Sequence, residues 1–441
     1  MRRIERLFFI TFAICAASAG YSELQNITVG GSIHITGHYY NMDSLGKMSY
    51  LDQRTRLHVK ADFTNDVSAF IEFDYYSGWG EGFRSLYLSG ENVRAPNDNT
   101  VDLYQGYLEA RNLWGMPLSL RVGRQELRFG SEWLVGSNYT TAALLGPSFD
   151  ALRLSYAHDV FTLDVAAAKL AETGGDFLEG DTDFYLTYFS YIGIEDIVLD
   201  AYWMFLRDDG VALGDRVQLH TLGMRAAGVV GNFDFEVEGA YQFGNIYGRP
   251  SACPAGFGEA DVVYNDLGVN SELGYSVDVA WQPRAFARFA YLGGGNPKHY
   301  GWRTNDRVLP FNRLFSNWEY TEFLADTDAS NMFYYAVGLD IMPTETLELE
   351  LIAACFRVDK RAPDLWYWFN RDRAGRTLGY ELGIYADYHY TEDLTISAGF
   401  AHFFGRRGLE RTPVTLNGLA PFGGNRSDSY DYLFIETTIS F

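Results

Sequence analysis

Several residue types that mark other protein classes are scarce in this sequence. Its 441 residues include only 12 prolines, 3 cysteines and 8 histidines, and 35 lysines and arginines are set against 57 acidic residues, for a formal net charge of -22. So large an acidic excess excludes a nucleic-acid-binding protein, because nucleic acid would repel it. The sequence also lacks the G-x-S-x-G, H-E-x-x-H and C-x-x-C motifs and a glycine-rich phosphate loop. We therefore predict no catalytic site, no metal site and no cofactor.

The N-terminus is predicted to be a secretory signal peptide. Three arginines among the first six residues precede an apolar stretch over residues 7–16, which is followed by an Ala-Ser-Ala cleavage site. The stretch is too short for a membrane-spanning helix, which needs about 20 residues. We expect residues 1–19 to be removed and residues 20–441 to form a single unit. The two cysteines that remain, Cys253 and Cys355, can either pair in an oxidising compartment or stay reduced.

Aromatic residues, by contrast, are plentiful at 16%, and polar and apolar residues alternate along the whole mature chain. The alternation recurs in runs of about ten to thirteen residues, the length that a tilted strand needs to cross a bilayer. In residues 51–63, one face carries Leu51, Leu57, Val59, Ala61 and Phe63, and the other carries Asp52, Arg54, Arg56, His58, Lys60 and Asp62. A charged second face that repeats around the molecule is typical of a water-filled lumen.

The segments between these runs alternate between short turns and long loops, which is how outer-membrane barrels are built. The pattern predicts an all-β fold, a transmembrane antiparallel β-barrel of about 18 strands (16–18) with short periplasmic turns and long extracellular loops. An even count places both termini in the periplasm. In the last strand the alternation directs Phe441 to the lipid and Ser440 to the lumen. A barrel of this size is wide enough for an aqueous channel.

Short motifs in both halves of the chain carry a resemblance to a known family. Gly123-Arg124-Gln125 is followed by Gly130, and after a loop by Phe149-Asp150 and Arg153-Leu154. The C-terminal half adds Phe311-Asn312-Arg313-Leu314-Phe315, Met342-Pro343-Thr344, Gly379-Tyr380-Glu381-Leu382 and the stretch from Ala398 to Phe404. In these residues, and in their order, the chain resembles the alginate export family of outer-membrane porins.

The resemblance implies a barrel of about 18 strands that carries a polysaccharide or its oligosaccharides across the bacterial outer membrane, with an arginine-rich constriction that attracts carboxylates. It does not imply alginate itself as the substrate. Members used for export work with a periplasmic scaffold, whereas others act as passive porins. The expected partners are therefore outer-membrane lipid and lipopolysaccharide, an anionic saccharide or small solutes, and a periplasmic export scaffold.

Alternation also predicts which charged residues line the channel. The cationic candidates are Arg54, Arg56, Lys60, Arg153 and Arg288, joined by Arg124 and Arg128 if a β-bulge resets the phase of their strand. The alternative is that this strand has left the bilayer by Arg124. The acidic candidates are Glu72, Asp74, Glu236, Glu238, Glu348, Glu350, Glu381 and Asp387. A cationic ring would select anions, salt-bridged pairs would give a mixed-charge lumen with no selectivity, and a cation-selective lumen is the third alternative. The direction of Arg225 stays open.

The aromatic-rich segment 292–330 is predicted either to fold inward as a constriction or to pack on the outer rim, because apolar rings are unfavourable in a solvated loop. We predict an outer-membrane channel for anionic polysaccharide, oligosaccharide or small hydrophilic solutes. A general diffusion porin with a mixed-charge lumen is the alternative within transport. From other classes, an outer-membrane enzyme and a non-conducting adhesin or structural barrel remain as rivals.

Overall fold

The computed structural model describes residues 24–42, 46–63, 66–79, 101–137, 146–172, 181–209, 216–247, 261–295, 306–316, 318, 320, 330–360, 375–408 and 429–441. The predicted signal peptide and Cys253 lie outside these residues. Cys355, on the other hand, is a free thiol. No helix in the ranges given is long and apolar enough to cross a membrane.

One sheet contains all the strands of these ranges, and nearly every pairing in it is antiparallel. The strands are β1 (Leu24–Met42), β2 (Gly46–Phe63), β3 (Val67–Gly78), β4 (Asp102–Ala110), β5 (Leu118–Gln125), β6 (Phe149–His158), β7 (Phe161–Ala171), β8 (Thr182–Ile194), β9 (Ile197–Asp208), β10 (Arg216–Val230), β11 (Phe233–Tyr247), β12 (Asp261–Ser276), β13 (Arg284–Leu292), β14 (Asp306–Leu309), β15 (Met332–Thr344), β16 (Leu347–Val358), β17 (Thr377–His389), β18 (Leu394–Gly405) and β19 (Ser429–Ser440).

Strand β14 is not a wall strand. Its four residues pair in parallel with the start of β12, while β13 pairs directly with β15. The remaining strands pair with their neighbours in sequence, and β1 pairs with β19 to close the ring. The fold is thus a closed barrel of 18 antiparallel strands, which confirms the prediction.

The closing pair runs from Ser32 opposite Ser440 to Met42 opposite Tyr430. Beyond it, the Phe441 N–H donates to the carbonyl of Gly31 at 3.0 Å, and the Gly31 N–H donates back at 2.9 Å. Phe441 continues the outward phase of Ile435 and Ile439 and is 63% exposed. The C-terminal ring therefore lies on the outer wall, at the end of the barrel where the chain begins.

The connections at that end are short and comprise 64–66, 111–117, 159–160, 195–196, 231–232, 277–283, 345–346 and 390–393. Several of them need a left-handed residue to turn sharply, such as Asp196, whose φ is 58°. At the opposite end the connections are longer, with 43–45 and 209–215 as the exceptions. The predicted alternation of short turns and long loops is therefore present.

The two faces of the wall have opposite chemistry. Large apolar side chains stand exposed on the outside, such as Met224 at 71% and Val337 at 61%, which no water-soluble core would leave uncovered over a whole sheet. Charged and polar side chains are buried on the inside, including Asp52, Arg54 and Glu238. This distribution is that of a membrane barrel, apolar toward lipid and polar toward the lumen.

Glycine at position 31 is required by the closing pair, and Gly37 on the same strand offers a matched control. A Cβ at Gly31 would lie 2.4 Å from the Arg56 carbonyl oxygen and 2.9 Å from the Phe441 ring, whereas at Gly37 the nearest atoms are 3.8 and 3.9 Å away. We expect Gly31→Ala to lower the temperature at which the refolded barrel loses its compact gel migration, and Gly37→Ala to leave it unchanged. Equal behaviour of the two variants would contradict this account of the closure.

Candidate channel lining and constriction

The chain between β5 and β6 turns into the barrel instead of leaving it. In residues 126–137, the side chains of Leu127 and Trp133 are fully buried. Gly130 makes the turn possible, since its φ is +58° and a Cβ there would lie 2.4 Å from the Tyr188 hydroxyl on the inner wall. This segment therefore occupies lumen space next to β8.

A second segment, comprising residues 311–316, 318 and 320, meets the first inside the barrel. Val135 and Phe315 form a parallel β-bridge, and the Phe315 N–H donates to the Leu134 carbonyl at 3.0 Å. The Trp133 indole N–H donates to the Tyr320 hydroxyl at 2.9 Å, and burial raises the pKa of that hydroxyl, which keeps it neutral. We call residues 126–137, and residues 311–316, 318 and 320, the two constriction segments. The described part of the aromatic loop thus folds inward rather than onto the rim.

Both constriction segments are attached to one strand, β11. The Ser131 hydroxyl donates to Glu238 Oε2 at 2.7 Å. Four residues further along the same inner face, the Gln242 amide donates to the Asn312 carbonyl and accepts from the Asn312 N–H, each at 2.7 Å. Gln242 is completely buried. Two polar residues of β11 therefore help to hold the constriction segments in place.

Arginines of β2 line the wall beside these segments and are held by carboxylates of β3. Arg54 is 1% exposed and forms a bidentate pair with Asp74 at 2.7 to 3.0 Å. Arg56 lies 3.6 Å from Glu72 and 3.9 Å from Glu126 of the first constriction segment. Nearer the short connections, Lys60 lies 3.0 Å from Asp62. All the lumen candidates of this wall are on its inner face, and each cation has an acidic partner.

The next part of the wall shows the same pairing. Arg153 on β6 lies 2.9 Å from Asp164 on β7 and covers the Phe129 ring of the first constriction segment at 4.9 Å. Arg128, on that segment, lies 3.2 Å from Glu126 and 3.8 Å from Glu132. Its position comes from the inward turn of the loop and not from a bulge in β5.

On β8 to β11 a polar network links the wall to the constriction. Arg225, whose direction the sequence left open, faces inward. Its guanidinium lies between two carboxylates, 2.7 Å from Asp200 and 2.9 Å from Glu236. Glu238 accepts from the Tyr202 hydroxyl at 2.7 Å as well as from the first constriction segment. The carboxylates predicted on β11 therefore lie in the lumen, where they hold a cation and a loop.

A larger cluster follows on β11 to β16. Arg284 contacts Asp234, Glu272 and, at 3.0 Å, Asp340. Arg288, four residues further along the same face of β13, lies 2.7 Å from Glu272 and 3.5 Å from Glu350. One cavity of about 250 Å³ lies beside Arg288 under Trp318, Tyr320 and Tyr334, and a second of about 740 Å³ extends from Arg284 toward the short connections.

The remaining acidic candidates lie on the inner faces of β16 and β17. Glu381 is 2% exposed, Asp387 accepts from the Ser397 hydroxyl at 2.5 Å, and Glu348 lies 3.6 Å from His389. In the part of the chain that the structure describes, no group of three or more His, Cys, Asp or Glu side chains is arranged to hold a metal ion.

Arg124 departs from the prediction, because it faces outward. Arg121 and Gln125 take the inner face of β5, so that Arg124 lies outside with Val122 and pairs bidentately with Asp150 at 2.8 and 2.9 Å. The irregularity of this region lies in β4 instead, where the register against β3 shifts between Glu72 and Phe73. No bulge in β5 turns Arg124 inward, and its ion pair with Asp150 neutralises the charge on the outer face.

Three functional residues of the lumen were not predicted from the sequence. Arg121 pairs with Glu109 at 2.8 Å, and Arg284 is the centre of the largest carboxylate cluster. Both follow from strict alternation, since Arg121 shares a phase with Gln125 and Arg284 with Arg288. The anchoring role of Gln242 has no comparable signal in the sequence.

The barrel is similar to solved structures of other bacterial proteins. OccK8 (OprE) of Pseudomonas aeruginosa is 13% identical over 94% of this chain and 98% of its own, with a TM-score of 0.55. OccAB2 of Acinetobacter baumannii is 12% identical over 94% and 98%, with a TM-score of 0.56. At such low identity the likeness shows the fold alone. No curated protein sequence matches the chain.

A family model described as alginate export matches residues 25–406, which is most of the chain. The chain belongs to the alginate export family. As a member of that family with a porin-like closed barrel, it is a bacterial outer-membrane channel for small solutes or polysaccharides.

The anchoring of the second constriction segment can be tested at Gln242. Replacing it by Ala removes both bonds to Asn312 and leaves buried backbone groups unsatisfied, at a cost of about 1–3 kcal/mol each. We expect larger and noisier single-channel currents in planar bilayers. Gln218→Ala is the matched control, because Gln218 lies on the outer face of the adjacent strand. Currents identical to the unmodified protein would mean that Gln242 does not hold the constriction.

Proposed function

We propose that this member of the family passes small hydrophilic solutes and acidic oligosaccharides through a mixed-charge lumen. The observation that carries the proposal is the cavity beside Arg288. There a guanidinium with 31% of its side chain exposed stands among Trp318, Tyr320 and Tyr334. Trp318, which is half-buried, can offer a ring face to a sugar, whereas Tyr320 and Tyr334 are buried behind the guanidinium. A guanidinium suits a sugar carboxylate.

The lumen arginines support a mixed-charge character because they are paired. Arg54 and Arg153 each contact one carboxylate, Arg225 and Arg288 each contact two, and Arg284 contacts three. Paired cations bind a passing carboxylate less strongly than a bare cationic ring would, because the resident carboxylates compete for them. A solute is therefore contacted by both signs of charge and released readily, as conduction requires.

The positions of the two cavities suggest the route of a solute through the lumen. From the constriction it passes Arg288 and then Arg284, on the same face of β13, and enters the wider cavity at the periplasmic end. In this proposal residues 1–19 are removed during secretion, lipopolysaccharide surrounds the barrel, and a periplasmic scaffold joins it if the direction is export. We assign no chemical reaction to the protein.

Ion selectivity in planar bilayers tests the mixed-charge lumen. In a salt gradient we expect open channels with a reversal potential close to zero or on the cation side. Arg288→Gln should shift it further toward cations, because Glu272 and Glu350 lose a counter-charge. Glu272→Gln should shift it toward anions. Arg124→Gln, which removes a cation from the outer face of the barrel, is the control and should leave it unchanged.

Two results would contradict the proposal. A strong anion preference that vanishes in Arg288→Gln would instead establish an anion-selective arginine constriction. Silent bilayers, from protein that shows the compact migration of a folded barrel, would favour the non-conducting adhesin or structural barrel.

A further inference from the structure

Four arginines lie together at the outer end of strands β16 to β18, opposite the short connections. They are exposed and comprise Arg357, Arg376, Arg406 and Arg407. In the part of the chain that the structure describes, no carboxylate forms an ion pair with any of them. We call these four residues the rim arginines. Arg54 and Arg288 of the lumen, by contrast, each contact at least one carboxylate.

The sheet brings the rim arginines together around Thr377, which directly follows Arg376 in the chain. On one side, Thr377 is the cross-strand partner of Arg357. On the other side, its carbonyl accepts from the N–H of Gly408 at 2.8 Å, and the other two rim arginines directly precede Gly408. Like charges on neighbouring strands are unfavourable. A bound anion would therefore stabilise this end of the three strands.

Two of the rim arginines, Arg357 and Arg406, point away from the lumen. Phe356 and Val358, on either side of Arg357, are buried inside the barrel, so that Arg357 lies on the outer wall. The Arg406 guanidinium lies 5.4 Å from the centre of the Tyr380 ring, which is 43% exposed on the same wall. An anion that binds both arginines therefore approaches from the membrane and not from the channel.

The height of these two arginines matches the headgroup region of the outer leaflet. Arg357 lies ten residues beyond Leu347, where β16 begins, and Arg406 lies twelve residues beyond Leu394, where β18 begins. With a rise of about 3.3 Å per residue and a tilt of about 40°, they are about 25 and 30 Å above the short connections. The apolar band of such barrels is about 25 Å tall. Both cations thus lie where lipid tails give way to headgroups.

Aromatic side chains mark the same border on this part of the wall. Tyr335 on β15, Tyr380 on β17 and Phe404 on β18 are exposed on the outer face. Tyr380 is the cross-strand partner of Phe404, and Arg406 lies two residues further out than Phe404. Girdles of aromatic residues flank the apolar band at the interfaces of such barrels. The outward arginines therefore lie directly above the girdle.

Carboxylates near the rim arginines in the sheet are engaged with other residues. Asp359, which follows β16, lies 3.3 Å from Lys360 and accepts from the Tyr291 hydroxyl at 3.0 Å. Asp431 on β19 lies 2.6 Å from His402. The described part of this rim is therefore cationic, on a chain whose formal net charge is -22.

We propose that Arg357 and Arg406 bind the phosphate groups of an outer-leaflet glycolipid, the lipid A part of lipopolysaccharide. A guanidinium binds phosphate through charge-assisted, often bidentate hydrogen bonds. The two arginines lie on alternate strands, about 10 Å apart at a strand spacing of about 4.8 Å, so that one headgroup with two phosphates can engage both. Arg376 and Arg407 add positive charge above the headgroup, and the aromatic girdle contacts the lipid below it.

Native mass spectrometry of the refolded mature protein in detergent tests this site. The probes are lipid A with two phosphates, the same lipid without phosphates, and inorganic phosphate. We expect the phosphorylated lipid to bind, and the double variant Arg357→Gln/Arg406→Gln to bind it about tenfold more weakly, because both cations near the lipid surface are lost. Binding of the unphosphorylated lipid should not change.

The double variant Lys169→Gln/Arg207→Gln is the matched control. It also removes two cations from the outer wall, near the outer ends of β7 and β9. These cations already have carboxylate partners, since Lys169 lies 2.9 Å from Asp181 and Arg207 contacts Asp209. We therefore expect the control to bind the phosphorylated lipid like the unmodified protein.

Each other outcome overturns the proposal. Unchanged binding in Arg357→Gln/Arg406→Gln would show that the rim arginines do not hold the lipid, and equal losses in both double variants would reduce the effect to overall charge. Competition by inorganic phosphate at the same concentration as lipid would identify a site for soluble anions. Altered ion selectivity without a change in lipid binding would assign the rim arginines to the channel mouth. Compact gel migration of each variant confirms that it is folded.

Discussion

Hydrogen bonding of the backbone is the constraint on which this structure depends. In a bilayer no water is available to satisfy the N–H and C=O groups at the edge of a sheet, so the first and last strands must bond to each other. Here β1 and β19 do so along their shared length, and Phe441 extends the pairing to the last residue. Once the ring is closed, strict alternation assigns every side chain to lipid or lumen. The charged lumen and the apolar exterior are two results of the same constraint.

Inside that ring, the polar residues serve two purposes at once. Carboxylates that neutralise arginines also position them, as Glu272 does between Arg284 and Arg288. Others hold backbone segments, as Glu238 does for Ser131. The acidic excess of the sequence is therefore partly structural. An arginine-rich lumen exists within a strongly acidic chain because each of these arginines meets one or more carboxylates across neighbouring strands.

The sequence predicted what depends on local periodicity. Strand number, turn positions and the inward direction of Arg54 and Glu236 follow from a period of two, which each strand reveals by itself. Arg124 was assigned wrongly because its tolerance outside depends on Asp150, which is 26 positions away and joins it only in the sheet. The docking of 126–137 on β11 could not be predicted from the sequence either, since it depends on which strand the loop reaches once the barrel is closed. Long-range partners, and not local preference, decided both cases.

The attachment of both constriction segments to β11 has a consequence for how the protein is made. Neither Glu238 nor Gln242 can receive its loop until β5, β11 and the region after β13 stand on the same ring, because the bonded residues are separated by 107 and 70 positions in the chain. Both contacts therefore need the strands from β5 to β13 to stand side by side, and a wall whose loops have not yet docked leaves the lumen open.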